Sequence, residues 1–95
     1  MRSETTTVNN PAGLHARSAA TVVKLAAKFR CSITFENAGK TASANNIMAL
    51  LMLEATKGSQ LKISVEGPDE DKALAAMTHL ININFGESGG FRERP

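Results

Sequence analysis

The segment Asn37-Ala38-Gly39-Lys40 constrains this chain more than any other, because it is a tight-turn signal set between two strand-like stretches. Before it, Ser32-Ile33-Thr34-Phe35-Glu36 alternates apolar and polar residues with period two. After it, Thr41-Ala42-Ser43 offers a short returning strand. Strands joined by so short a turn must pair antiparallel, which excludes an all-parallel sheet. A chain of 95 residues has room for one domain with a modest core, and little for an enclosed catalytic cavity.

The rest of the chain switches between two periodicities. Thr5-Thr6-Thr7-Val8 is β-branched and reads as a first strand, stopped by Asn9-Asn10-Pro11-Ala12-Gly13. From Ala16 to Phe29, apolar residues recur at three- and four-residue steps through Ala16, Ala19, Val23, Ala26 and Phe29, which predicts an amphipathic helix. Arg17, Lys24 and Lys28 fall mainly outside that stripe. Asn45 or Asn46 suits the N-cap of a short helix over residues 47–53, closed by Lys57-Gly58. Residues 61–66 alternate as a last strand. Gly67-Pro68-Asp69 then turns the chain into a final helix with Ala73, Leu74, Met77, Leu80 and Ile81 on one face. The expected fold is therefore α+β, a four-stranded antiparallel sheet with three helices on one face. It should occupy residues 1–85, and residues 86–95, with three glycines and four charges, read as a flexible tail.

Composition narrows the function by exclusion. No apolar run approaches the roughly 18 residues that span a bilayer, so membrane insertion is not expected. The first residues lack the apolar stretch of a secretory signal, and a cytoplasmic location is expected. A formal net charge of +2 is too small to argue for nucleic acid; with no Trp or Tyr and four scattered Phe, no base-stacking platform is visible. The single cysteine, Cys31, cannot form an internal disulfide and reads as a packed thiol at a strand start. No Cys/His cluster has metal-ligand spacing, and neither metal nor cofactor is expected.

Two histidines remain to carry chemistry. His79 lies inside the last helix without an acidic or nucleophilic partner at productive spacing, and reads as a surface residue. His15 lies directly before a helix, in Gly13-Leu14-His15-Ala16-Arg17. The first N–H groups of a helix have no internal partners and carry partial positive charge, so a phosphoryl group beside them finds donors at Ala16, Arg17 and Ser18. Arg17 adds a planar, permanently charged donor. Imidazole suits transient phosphoryl carriage, because its neutral form offers a nitrogen lone pair to phosphorus near pH 7. By themselves these five residues also fit an ordinary exposed loop histidine.

Gly13-Leu14-His15-Ala16-Arg17 resembles the phosphorylation site of HPr, the histidine phosphocarrier of the bacterial phosphoenolpyruvate-dependent phosphotransferase system. The resemblance runs from about Thr5 to Phe85 and includes the order of elements. Residues 44–53 followed by Lys57-Gly58 look like the family's second helix and its exit. Residues 49–53, Gly67-Pro68 and 73–76 look like the nitrogen-branch member, NPr. The resemblance implies an open-faced β-sandwich, phosphorylation of His15 through Nδ1 and assistance by Arg17. Enzyme I, or its nitrogen-branch counterpart, would be the donor and IIA-type proteins the acceptors. Either output, sugar uptake or nitrogen-linked regulation, fits, and a monomer is the default.

The chain departs from the family pattern at two places. Ser18 stands where the motif usually has proline, which leaves the helix start less pre-set. Asn46 stands at the family's regulatory serine; it can cap a helix but offers no hydroxyl to a kinase. Around it, the run 47–53 is too apolar for so short a helix to bury every side chain, so part of Ile47, Met48, Leu51 and Met52 should face solvent. By resemblance Ile47 and Met48 join Ala20 and Lys24 in a partner-docking surface, and Leu51 is counted with them; Ala27 replaces a basic residue common there. Ser18 and Asn46 keep open a regulatory domain that binds partners with little transfer. A small basic module for RNA or an anion is the remaining alternative.

Overall fold

The computed structural model describes residues 1–86; residues 87–95, the bulk of the expected tail, lie outside them. The elements are β1 (Arg2–Thr7), α1 (Ala16–Ala26), β2 (Ser32–Asn37), β3 (Lys40–Ser43), α2 (Ile47–Leu51), β4 (Gln60–Glu66) and α3 (Glu70–Asn82), followed by a 3-10 turn at Asn84–Gly86. The strands form one antiparallel sheet in the order β1-β4-β2-β3. This is the expected α+β arrangement with three helices.

Period two explains which face the helices cover. Ile33 and Phe35 of β2, with Leu61, Ile63 and Val65 of β4, are buried. Their in-between neighbours Thr34, Glu36, Lys62 and Ser64 stay partly or fully exposed on the open face, where Glu36 lies opposite Lys62. Onto the apolar face α1 brings Ala19 and Val22, α2 brings Leu50, and α3 brings Ala73, Leu74, Met77, Leu80 and Ile81, so the expected face of the last helix is the buried one.

Several boundaries differ from the sequence reading. β1 begins at Arg2, three residues before the β-branched run, because β4 continues to pair there: Arg2 lies opposite Val65. The Arg2 guanidinium also meets Asp71 at 2.8 Å. α1 closes at Ala26, and Lys28 and Phe29 continue only as turns onto the Leu25 and Ala26 carbonyls. α2 ends at Leu51 rather than residue 53, and Lys57-Gly58 is not its cap. Instead, Leu53 and Glu54 fold back onto the Leu50 and Leu51 carbonyls, with Glu54 left-handed at φ 54°. Gly58 serves the entry to β4, giving its N–H to the Val8 carbonyl at 2.7 Å. Of the two candidate caps, Asn46 is the one used: its Oδ1 accepts from the Ala49 N–H at 3.0 Å. Cys31 is half-buried just before β2, where burial, then Asp69 and Glu70, push its thiol pKa up.

The turn between β2 and β3 is strained. Both central residues lie at positive φ, Ala38 at 52° and Gly39 at 87°, as a two-residue hairpin with primed geometry needs. For Ala38 the left-handed region is unfavourable by roughly 1–2 kcal/mol. Ala38→Asn, which tolerates this conformation, is expected to stabilise the domain by about 0.5–1 kcal/mol. Urea unfolding should show a higher midpoint with an unchanged slope; a lower midpoint would mean that the turn geometry is not the one described.

Candidate functional site

The loop between β1 and α1 is held by backbone pairing to a distant segment. Leu14 gives its N–H to the Ala55 carbonyl at 2.9 Å and is itself buried. Gly13 lies at φ 66°, and a Cβ on it would come within 2.4 Å of the Ala55 oxygen and 2.9 Å of the Thr56 Cα. Glycine is therefore required twice, by conformation and by contact. Asn10, fully buried, donates from Nδ2 to the Gly13 carbonyl at 2.8 Å, while the Gly13 N–H returns to the Asn10 carbonyl at 3.1 Å.

The supporting segment is braced in turn by the hairpin. Asn37 Nδ2 donates to the Leu53 carbonyl at 2.9 Å, and Lys40 Nζ meets Glu54 Oε1 at 2.6 Å. That hydrogen bond, reinforced by the Lys40 charge, holds the Glu54 carboxyl below the usual carboxylate range.

His15 occupies the N-cap of α1 in extended backbone (φ −122°, ψ −172°), and its side chain is half-buried. It forms a capping box with Ser18: the imidazole faces the Ser18 backbone N–H, and Ser18 Oγ accepts from the His15 N–H at 2.8 Å. The first intrahelical bond is Ala19 N–H to the His15 carbonyl, at 2.8 Å. The Ala16 and Arg17 amides thus stand at the open end of the helix. Ala16 and Arg17 are exposed, and among the described residues no acidic side chain pairs with the guanidinium.

Ser18 departs from expectation. Its side chain is fully buried and its hydroxyl is engaged with the His15 N–H and with the His15 and Gly13 carbonyls, at 3.1 and 3.3 Å. The hydroxyl is turned away from the open helix end. It also fixes the helix start, which the missing proline leaves less pre-set.

The expected docking residues gather on α1 and α2, which pack against each other. Lys24 is exposed and Ala20 half-buried on α1. On α2, Ile47 is 38% exposed and Met48 67%, while Leu51 is partly buried against the core. Leu51 is expected among the docking residues, but the outward apolar side chain at this end is Met52, 71% exposed. It stands four residues after Met48, on the same helix face, and that spacing was the available signal. His79 is exposed on α3. Among the described residues no group of His, Cys, Asp and Glu could hold a metal ion.

Comparison with known proteins agrees with this geometry. Residues 2–82 match the family described as "PTS HPr component phosphorylation site". The chain is similar to the phosphocarrier protein NPr of Escherichia coli, 39% identical over 85 residues that cover 88% of this chain and 94% of the relative. To the phosphocarrier protein HPr of Chlamydia muridarum it is 35% identical over 80 residues, covering 84% of this chain and 77% of the relative. Among solved structures, HPr of Thermoanaerobacter tengcongensis superposes with a TM-score of 0.87 at 40% identity, covering 93% of this chain and 99% of that one. HPr of Bacillus anthracis superposes with a TM-score of 0.80 at 35% identity, covering 84% and 95%.

The approach of Gly13 to Ala55 can be tested against a second glycine of similar conformation. Gly39 also has positive φ, but a Cβ there meets nothing within 4 Å. Gly39→Ala should cost about 1 kcal/mol from conformation alone, whereas Gly13→Ala should cost about 2–4 kcal/mol because the new methyl also displaces backbone. Thermal unfolding of both variants measures the difference. Equal losses would show that the two loops do not touch as described.

Proposed function

The chain belongs to the HPr family of phosphotransferase-system phosphocarriers, and on that premise we propose that His15 is the residue that carries the phosphoryl group, with Arg17 assisting its transfer. Such a protein is a carrier and not itself a catalytic enzyme, and the family implies enzyme I and IIA-type proteins as partners.

One observation carries the assignment to His15: it is half-buried at the N-cap of an eleven-residue helix, with the exposed Arg17 in the first turn. In the proposed step the imidazole turns off the Ser18 N–H that it caps, and the freed lone pair of the neutral ring attacks phosphorus while the donor's bond to phosphorus breaks and its electron pair returns to the donor. The other ring nitrogen keeps its hydrogen. The new dianionic group lies beside the Ala16 and Arg17 amides and the helix's partial positive charge. Phosphoryl transfer depends on positioning and charge stabilisation, so an open surface completed by a docked partner suffices. By resemblance the ring nitrogen is Nδ1.

The docking surface is taken to be the outward face of α1 and α2: Ala20, Lys24, Ile47, Met48 and Met52, with Leu51 at its edge. Exposed methionines can adapt to differently shaped partners, as a carrier serving both donor and acceptor requires. One chain holds His15, Arg17 and this face together, which supports action as a monomer. Among the described residues no helix is long and apolar enough to cross a membrane. We place the protein in the cytoplasm, where phosphoenolpyruvate is available.

Incubation with phosphoenolpyruvate and enzyme I, followed by intact mass, tests the assignment. The wild-type chain and His79→Ala should each gain one phosphoryl group, lost in acid and kept in base, and His15→Ala should gain none. A phosphorylated His15→Ala variant would refute the assignment.

The docking face has its own test. Met48→Glu should leave the fold intact, since the side chain is 67% exposed, and should weaken the binding of enzyme I in an NMR titration. Binding equal to wild type would move the docking face elsewhere.

A further inference from the structure

Ser18 is a polar side chain in an apolar position. It lies in the first turn of α1, with no exposed surface, between the helix and the loop that carries His15. Its neighbours on the inner face of α1 are Ala19 and Val22, both fully buried. A hydroxyl in such a place is unfavourable unless it is hydrogen-bonded.

Its three contacts are not equivalent. The Gly13 carbonyl already accepts from Asn10 Nδ2 at 2.8 Å, and the His15 carbonyl already accepts from the Ala19 N–H at 2.8 Å. Either can lose the serine proton and stay satisfied. The His15 N–H gives its hydrogen to Ser18 Oγ at 2.8 Å, the shortest of the three contacts. The hydroxyl therefore pins the backbone of the very residue whose ring must meet phosphorus. It also turns that N–H inward, leaving the Ala16 and Arg17 amides to face an incoming phosphoryl group.

We propose that Ser18 is a positioning residue for phosphoryl transfer at His15, acting through the hydrogen bond from the His15 N–H to its buried hydroxyl. The proposal rests on the assignment of His15 as the carrier residue. Ser18 touches neither phosphoryl group nor partner; it sets the angle and rigidity with which the imidazole is presented. Displacements of about 1 Å in such an arrangement can slow a transfer up to about a hundredfold.

The test compares Ser18→Ala with Thr78→Val. Thr78 is another buried hydroxyl, on α3, bonded to the Leu74 carbonyl at 3.0 Å, so its loss controls for stability alone. Uptake from phosphorylated enzyme I is followed against donor concentration. Ser18→Ala should lower the saturating rate about tenfold or more and leave the half-saturating concentration unchanged, because the docking residues are intact. Hydrogen exchange at the His15 amide should speed up at least tenfold while the amides of α3 keep their protection. Thr78→Val should melt earlier with its saturating rate unchanged. Ser18→Cys, slightly larger and a weaker acceptor, should show the same pattern in smaller degree and serves in place of the alanine variant if that one does not fold.

A Ser18→Ala protein with the wild-type saturating rate overturns the positioning role, as does an equal loss of rate in Thr78→Val. A wild-type chain that takes up no phosphoryl group under the same conditions overturns the reading of His15, and this proposal with it.

Discussion

The hydrogen bond from the Leu14 N–H to the Ala55 carbonyl is the constraint on which the site depends. It joins the start of α1 to the exit of α2 through backbone alone, and it closes only because Gly13 has no side chain. Residue 15 is thereby set at the N-cap, the ring half-exposed and the helix amides beside it. A surface site has no cavity walls to orient its reacting group. Here the orientation comes from beneath, through backbone pairing, the buried Asn10 side chain and the buried Ser18 hydroxyl.

The same segment ties the site to the sheet. Asn37 and Lys40, at the ends of the β2–β3 turn, hold Leu53 and Glu54, and these lead directly into Ala55. The hairpin tip thus supports the His15 loop at second hand. α2 divides its few side chains between two tasks. Leu50 fills the core, while Met48 and Met52 remain outside, so the element that helps to close the core also presents the apolar face offered to partners. Asn46 caps this five-residue helix, which is too short to persist without tertiary support.

What was legible in the sequence was whatever short-range pattern decides. The turn at residues 37–40, the alternation of β2 and β4 and the apolar face of α3 are local signals, and the structure has all of them. His15 was legible as a helix-start histidine because Gly13 and Arg17 flank it at fixed spacing. The end of α2 was not. Glu54 adopts a left-handed conformation beside Lys40, a partner fourteen residues away, and no local rule places a stop at residue 51. The direction of the Ser18 hydroxyl was hidden too, since serine at that position fits a phosphate ligand and a buried clamp equally well. Leu51 and Met52 are both apolar, and only the packing decides which of them turns outward.

The strand order has a consequence for how the chain comes into being. Among the described residues β1 has a single neighbour in the sheet, β4, and its residues pair with positions about sixty residues later: Arg2 with Val65, Glu4 with Ile63. During synthesis the first strand therefore leaves the ribosome with no partner, and waits until residues 60–66 have followed it. β2 and β3 can close their hairpin at once, but they too need β4 before the sheet is continuous. Pairings this distant in sequence are slow to form because loop closure must come before their contacts. The strand made first cannot take its place before β4 exists, and until then the nascent domain is a sheet without the strand that joins β1 to β2.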